Sequence, residues 1–253
     1  MPSTTEITVS QLSRLIGLPH TPIIIDVRPE DDFASDPRLI PGAQRRDAHA
    51  VTAWAADYEQ RSIVVVCQQG SQLSQGISAW MRHQGIDAQT LEGGFVAWRA
   101  DEHLLVPAHK LPARDARGHT VWVTRARPKI VRIACPWLIR RFIDPQAVFL
   151  YVAPSEVMAV ADRFQATPFD VRGAFWDDRG DRCTFDVMIE EFALGSDALA
   201  RLAAIVRGAP SLMQVLTTIR ALDLPDWLMM SGANCTLPAP RYTIHRTRTP
   251  CCR

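Results

Sequence analysis

SIVVVCQQGSQLSQGISAWMRHQGIDAQTLEGGFVAW, residues 62–98, constrains this chain more than any other stretch. Ile63, Val64, Val65 and Val66 form a continuous apolar run of β-branched residues, the composition of a parallel strand buried on both faces. The strand ends at Cys67. Leu73, Ile77, Trp80 and Met81 then recur at i, i+4, i+7 and i+8, which predicts a helix that Gly85 stops. Cys67 therefore opens a strand-to-helix turn made of Gln68, Gln69, Gly70, Ser71, Gln72 and Leu73. The backbone N–H groups of that turn, with the helix N-terminus, form a cradle for an anion. A thiol in this setting ionises more easily than its ordinary value of about 8.5. A strand-end cysteine is also commonly a small buried hydrophobe. Chemistry at Cys67 thus requires a side chain that solvent reaches and amides turned toward its sulfur.

Three further segments stand in register with this loop: IIIDVRPEDDF (23–33), IPGA (40–43) and LEGGFVAW (91–98). Together the four resemble a rhodanese domain. The resemblance implies a small parallel sheet with helices on both faces, an α/β fold, and transfer of a sulfane sulfur. It implies Cys67 as the nucleophile, carrying the sulfur as a persulfide. Asp26 and Arg28 match the family's motif at the end of the first core strand, where they support the loop. The loop also departs from the family. Members that handle thiosulfate usually carry arginines one and five residues after the cysteine, and Gln68 and Gln72 stand there instead. Glutamine keeps hydrogen-bond donors but loses the charge-assisted, bidentate grip on an anion, so poor thiosulfate turnover is expected.

At 253 residues the chain is expected to hold two domains. The first covers 1–106 and the second 119–209. Between them 107–118 loses periodicity and gains Pro107, Lys110, Pro112 and Arg114, which is linker composition. Hydrophobic residues make up 47% and charged residues 22%, and the net charge is +1, so nothing pulls the whole molecule toward nucleic acid. No apolar segment approaches the roughly 18 residues of a membrane span. MPSTTEITVSQLSRLIG has no long apolar core, and Glu6 stands where a secretion signal carries positive charge, so no membrane partner and a cytoplasmic location are expected. Six cysteines without a CxxC pair do not form a disulfide framework. Seven dispersed histidines give no zinc spacing, and neither a metal nor another cofactor is expected.

In the first half, a strand at Ile7 leads to a short helix that Ser10 can cap, with Leu12, Leu15 and Ile16 on its apolar side. The strand 23–27, the helical 30–33, and a helix over 49–58 presenting Val51, Trp54, Ala55 and Tyr58 follow, with His49 on the surface. In the second half Val121 and Val123 alternate as a strand, and 130–134 reads as a second short one. Pro136 fits the first position of a helix over 137–143, with Cys135 at its start. A strand at 148–152, a helix over 155–164 capped by Ser155, alternating strands with a charged turn over 169–186, and a helix over 198–206 complete an α+β pattern.

WVTRARPKIVRIACPWLIRRFIDP, FLYV, ATPFD, RGDRCTFD and LARLAAIVRGA resemble the C-terminal domain of the chromate-resistance family, the ChrB type, from Trp122 to about Ala209. The implied role is response or resistance to chromate. Val131 stands where that family often has an acidic residue and Asp178 where a histidine is expected, which speaks against a metal role. From Pro210 onward the family's closing helices are missing, and the last stretch is rich in Pro, Thr, Arg and Cys. A shifted reading frame after Ala209 is the expectation for such a tail, 210–253, which would then be disordered in part.

Arg125, Arg127, Lys129, Arg132, Arg140 and Arg141 concentrate positive charge in a nearly neutral chain. With a helix start at Cys135 they could receive a dianion such as chromate or sulfate, and Cys135 or Cys183 could reduce or sense it if exposed. Arg125, Lys129 and Arg132 are the candidate receptors, since Arg140 and Arg141 diverge by about 100° around a helix. The arginines can equally form a solvated face paired with Asp144, Asp178, Asp181 and Asp186. Two functional readings follow. One is a thiosulfate sulfurtransferase-like enzyme taking sulfur from a small-molecule donor and passing it to a thiol acceptor. The other is a non-catalytic protein that binds or senses an oxyanion.

Overall fold

Parallel sheets organise both halves of the chain in the computed structural model, which describes residues 4–127 and 129–208. The first half runs β1 (Glu6–Ile7), α1 (Val9–Leu15), β2 (Ile23–Asp26), α2 (Glu30–Ser35), β3 (Arg38–Leu39), β4 (Gln44–Arg45), α3 (Val51–Trp54), β5 (Ser62–Val66), α4 (Gln72–His83), β6 (Asp87–Leu91) and α5 (Gly94–Ala100). Its sheet has the order β1-β6-β5-β2-β4 with every pair parallel. β5 is central, and Ile63 to Val66 are at most 1% exposed, as a strand covered on both faces requires. Alternation divides its side chains. Ile63, Val65 and Cys67 pack with Ile77 and Met81 of α4 and with Trp54 and Tyr58. Val64 and Val66 pack with Leu12 of α1 and with Phe95 and Trp98 of α5. Cys67 thus continues the α4 side just past the strand end.

Helix starts in this half differ from those expected. Thr8, not Ser10, caps α1: its hydroxyl accepts from the Gln11 N–H and the Gln11 side chain accepts from the Thr8 N–H, a reciprocal box that starts the helix earlier. The stretch 49–58 is not one helix but a 3-10 turn, α3 and a second 3-10 turn, although Trp54, Ala55 and Tyr58 are buried. Trp80 is 39% exposed, and α4 buries Ser74, Ile77, Ser78 and Met81 instead.

Residues 107–118 are held against both halves. β7 (Val106–Pro107) pairs antiparallel with β3 and Lys110 forms an ion pair with Glu191; the halves also meet directly, the Gly42 N–H donating to the Phe142 carbonyl at 2.7 Å.

The second half runs β8 (Val121–Arg125), α6 (Val131–Phe142), β9 (Val148–Val152), α7 (Val157–Phe164), β10 (Thr167–Pro168), α8 (Thr184–Glu191) and α9 (Asp197–Gly208). Its sheet, β10-β8-β9, is parallel throughout. Trp122 packs toward α6, α8 and α9, while Val123 packs with Val157 and Ala161 of α7.

Four expectations fail here. Residues 130–134 are not a strand, and Pro136 does not open a helix: α6 begins at Val131 and carries Pro136 inside it. Cys135, Leu138 and Ile139 share its buried face, and that burial outweighs the helix-breaking tendency of proline. The ring removes the bond that the Arg132 carbonyl would accept, and the Tyr151 hydroxyl donates to that carbonyl at 3.4 Å. Ser155 does not cap α7; a 3-10 turn at Pro154–Glu156 precedes it. Residues 169–183 make only isolated bridges, Phe169 with Trp176 and Arg179 with Arg182, and α8 takes Thr184 to Asp186 into a helix. The tail 210–253, with its proposed frame shift, lies outside the described residues.

Candidate functional site

The loop after β5 is shaped by two glycine positions. Gly70 has φ +66°, and a Cβ there would meet the Leu91 carbonyl at 2.5 Å and the Gly93 nitrogen at 2.7 Å. Gly94 has φ +60°, and a Cβ there would lie 2.4 Å from both the Cys67 carbonyl oxygen and the Gly70 nitrogen. Bare backbone is what lets the two loops interlock. The start of α5 then fastens the contact: Phe95 N–H donates to the Cys67 carbonyl at 2.9 Å and Val96 N–H to the Gln68 carbonyl at 3.0 Å. The second glycine of LEGGF is thereby accounted for.

This brings the thiol to the N-terminus of α4, whose first N–H groups have no intrahelical acceptor. Ser71 is the N-cap, yet its side chain makes no capping bond. The Cys67 sulfur lies at this end, accepting from the Ser71 N–H at 3.3 Å. The Ser74 hydroxyl lies 3.0 Å from the same sulfur. Burial pushes the Cys67 thiol up, but the Ser74 hydroxyl and the N–H groups of Ser74, Ser71 and Gln69 together hold it below its ordinary value. The amides therefore turn toward the sulfur. Of the two conditions read from sequence, the amides are met and solvent access is not: Cys67 is buried, 3% exposed.

Within the cradle read from sequence, Gln69 and Ser71 supply N–H groups to the sulfur and Gly70 the tight turn. Leu73 packs against the apolar cluster that contains Cys67. Gln72 is exposed, and the Gln68 amide oxygen is buried without a hydrogen-bond partner. Ser74 was missed. Its signal is positional, since a helix starting at Gln72 puts residue 74 in the first turn, facing back toward the strand end.

Asp26 and Arg28 sit beneath the loop rather than in it. The Arg28 Nε donates to both Asp26 carboxylate oxygens, at 3.1 and 2.8 Å. Its other nitrogens donate to the carbonyls of Asp36 and Arg38, and the guanidinium lies 3.7 Å from the centre of the Phe95 ring. The pair thus ties β2 and the β3 loop to α5, which holds the Cys67 carbonyl.

The cationic segment of the second half has a different arrangement. Arg125 and Arg132 both reach Asp170, at 3.2 and 2.5 Å, and Arg132 also donates to the Arg127 carbonyl. Lys129 is exposed. Asp144 accepts from Thr120 and pairs with Arg114; Asp186 pairs with Arg207; Asp178 accepts from Thr184. Cys135 is fully buried inside α6, not at a helix start, and burial drives its thiol well above the ordinary value. Cys183 is half-buried and is pushed up to about 11, by burial and then by its hydrogen bond to the Asp186 carboxylate. Both are thiols at neutral pH.

Residues 8–101 match the family model described as the rhodanese-like domain, and residues 122–229 match that described as ChrB, C-terminal domain. The second match extends past Ala209, the boundary read from sequence. Over 102 residues the chain is 40% identical to Protein ChrB of Cupriavidus metallidurans, a stretch that is 39% of this chain and 30% of that protein. It therefore spans less than a third of that relative's length. Among solved structures, it is similar to a rhodanese-like domain protein from Staphylococcus aureus, 27% identical with a TM-score of 0.33, covering 37% of this chain and 90% of that one. It is also similar to a thiosulfate sulfurtransferase from Pseudomonas aeruginosa, 22% identical with a TM-score of 0.36, covering 41% and 19%. Among the described residues no helix is long and apolar enough to cross a membrane.

Proposed function

We propose that this chain, a rhodanese-like domain joined to a ChrB C-terminal domain, transfers sulfane sulfur through a persulfide on Cys67, in association with chromate resistance. The observation that carries the proposal is the convergence of the Ser71 N–H and the Ser74 hydroxyl on one sulfur atom at a helix N-terminus. That arrangement favours the thiolate, which is the nucleophilic form. The Cys67 thiolate attacks the sulfane sulfur of a donor. A new S–S bond forms, and the donor's bond to that sulfur breaks, its electron pair leaving with the donor remnant. An acceptor thiolate then attacks the outer sulfur, and the Cys67 thiolate departs from it unchanged.

With Cys67 only 3% exposed, transfer requires the loop to admit the terminal sulfur of the donor. Gln68 and Gln72 offer a dianion no ion pair, so an organic persulfide is the better donor and thiosulfate the poorer. Oxyanion reception at Arg125, Lys129 and Arg132 has less support, because Asp170 already engages both arginines. Steady-state sulfur transfer to a small thiol, with each donor in turn, tests the reading. Faster turnover with the organic persulfide, lost in Cys67→Ser, supports it; a preference for thiosulfate overturns the donor assignment, and activity that survives Cys67→Ser overturns the whole.

A further inference from the structure

The hydroxyl of Ser74 has one proton and two acceptors within reach. It lies 3.0 Å from the Cys67 sulfur and 3.1 Å from the Ser71 carbonyl oxygen. Ser74 is fully buried, so water does not compete for that proton. A carbonyl can only accept. While Cys67 is a neutral thiol, the one arrangement that satisfies every group is S–H donating to the Ser74 oxygen and the Ser74 O–H donating to the Ser71 carbonyl. Once the thiol loses its proton to solvent, the sulfur can only accept. The hydroxyl then gains a stronger, charge-assisted bond by turning to the sulfur. The Ser71 carbonyl is not left unpaired by this turn, because the Gln75 N–H also donates to it at 3.1 Å.

We infer that Ser74 is a catalytic residue of the proposed sulfur transfer, its hydroxyl swinging from the Ser71 carbonyl to the Cys67 sulfur whenever that sulfur carries the charge. The inference rests on the persulfide reading and adds a residue to it. In the loaded state the negative charge sits on the outer sulfur, and the hydroxyl returns to the carbonyl. When the acceptor thiolate attacks the outer sulfur, the S–S bond breaks and its electron pair returns to Cys67. The hydroxyl swings back as that charge appears, so Ser74 assists the departure of Cys67 in the second half of the cycle as well as its attack in the first. Holding the thiol below its ordinary value is the equilibrium face of the same bond.

Ser78 provides an internal control. It is also fully buried on α4, but its hydroxyl bonds the Gln89 carbonyl and the Thr90 hydroxyl, not the sulfur. The test is the pH dependence of Cys67 alkylation by iodoacetamide, read by peptide mass spectrometry on the full chain, alongside the thermal midpoint of each variant. Ser74→Ala should raise the alkylation midpoint by about one pH unit, or about tenfold slower labelling below both midpoints. Ser78→Ala should leave it in place, and Ser74→Thr should restore it. Ser74→Gly removes the same atom and carries the test if the alanine variant does not fold. An unmoved midpoint in the variants lacking the hydroxyl, or an equal rise in Ser78→Ala, overturns the role of Ser74. Alkylation needs no sulfur donor, so that failure would leave persulfide loading untouched. Absence of a persulfide in the wild type would instead sink the transfer reading while leaving the alkylation result standing.

Discussion

A methyl group on Gly94 would sit 2.4 Å from the Cys67 carbonyl and the Gly70 nitrogen, at a φ of +60°. Both the left-handed backbone and the clash oppose any side chain there. Gly94→Ala should therefore cost about 2 kcal/mol or more and slow Cys67 alkylation, because relief of the clash moves the loop whose amides face the sulfur. A thermal midpoint and labelling rate equal to wild type would contradict the interlocking of the two loops. The three described cysteines separate by environment in the same way. Cys67 is held low by donated hydrogen bonds, whereas Cys135 and Cys183 are pushed up. At about pH 8, small alkylating reagents should label Cys67 first and the other two only on unfolding. The signs of the pH linkage oppose each other. The lowered Cys67 contributes stability that is present above its unfolded value and lost as pH falls through the folded one. The raised Cys183 contributes stability that is present below its ordinary value and lost as pH rises toward about 11. Labelling of Cys183 ahead of Cys67 in the native state would refute this ordering.

Among the elements, a buried ion pair at the end of β2 reaches α5 through the Arg28 guanidinium, which lies over the Phe95 ring. The Arg28 side chain is fully buried and its partner Asp26 is 3% exposed. Removing one member leaves the other charge without its counterion, so Asp26→Ala should destabilise the protein by about 3–5 kcal/mol. Denaturant melts measure this, and a loss below about 1 kcal/mol would mean that the carbonyls of Asp36 and Arg38 suffice for the arginine. Elements of this kind were legible from sequence where one residue type dictates one environment. The valine run of β5 formed as read, and α4 follows the Cys67 loop with Ile77 and Met81 of its expected face buried and Trp80 exposed. Failures occurred where a distant partner decides. Pro136 looks like a helix start until Tyr151 supplies the proton that the Arg132 carbonyl lacks. Arg125 and Arg132 look like an anion receptor until Asp170, far along the chain, closes on both. Ser74 carries no motif of its own, and only the true first residue of α4 brings its hydroxyl to the sulfur.

At the level of the whole molecule, the segment between the two halves also bears on the site. Arg46 donates to the Tyr58 hydroxyl at 2.9 Å, and a Cβ on Gly118 would lie 2.9 Å from the same guanidinium. Tyr58 belongs to the apolar cluster that contains Cys67. The segment between the halves thus rests on the layer behind the nucleophile, while the second half's described cysteines stay buried or protonated. That division leaves Cys67 as the one described thiol poised for reaction, and the account stands or falls on what this sulfur accepts. The direct measurement is the mass of the Cys67 peptide, in wild type and in Cys67→Ser, after incubation with an organic persulfide and again after addition of a thiol acceptor. A gain of one sulfur atom on Cys67 is expected, discharged by the acceptor and absent from the serine variant. No gain with any of several sulfane donors, or a gain that persists in Cys67→Ser, would contradict it.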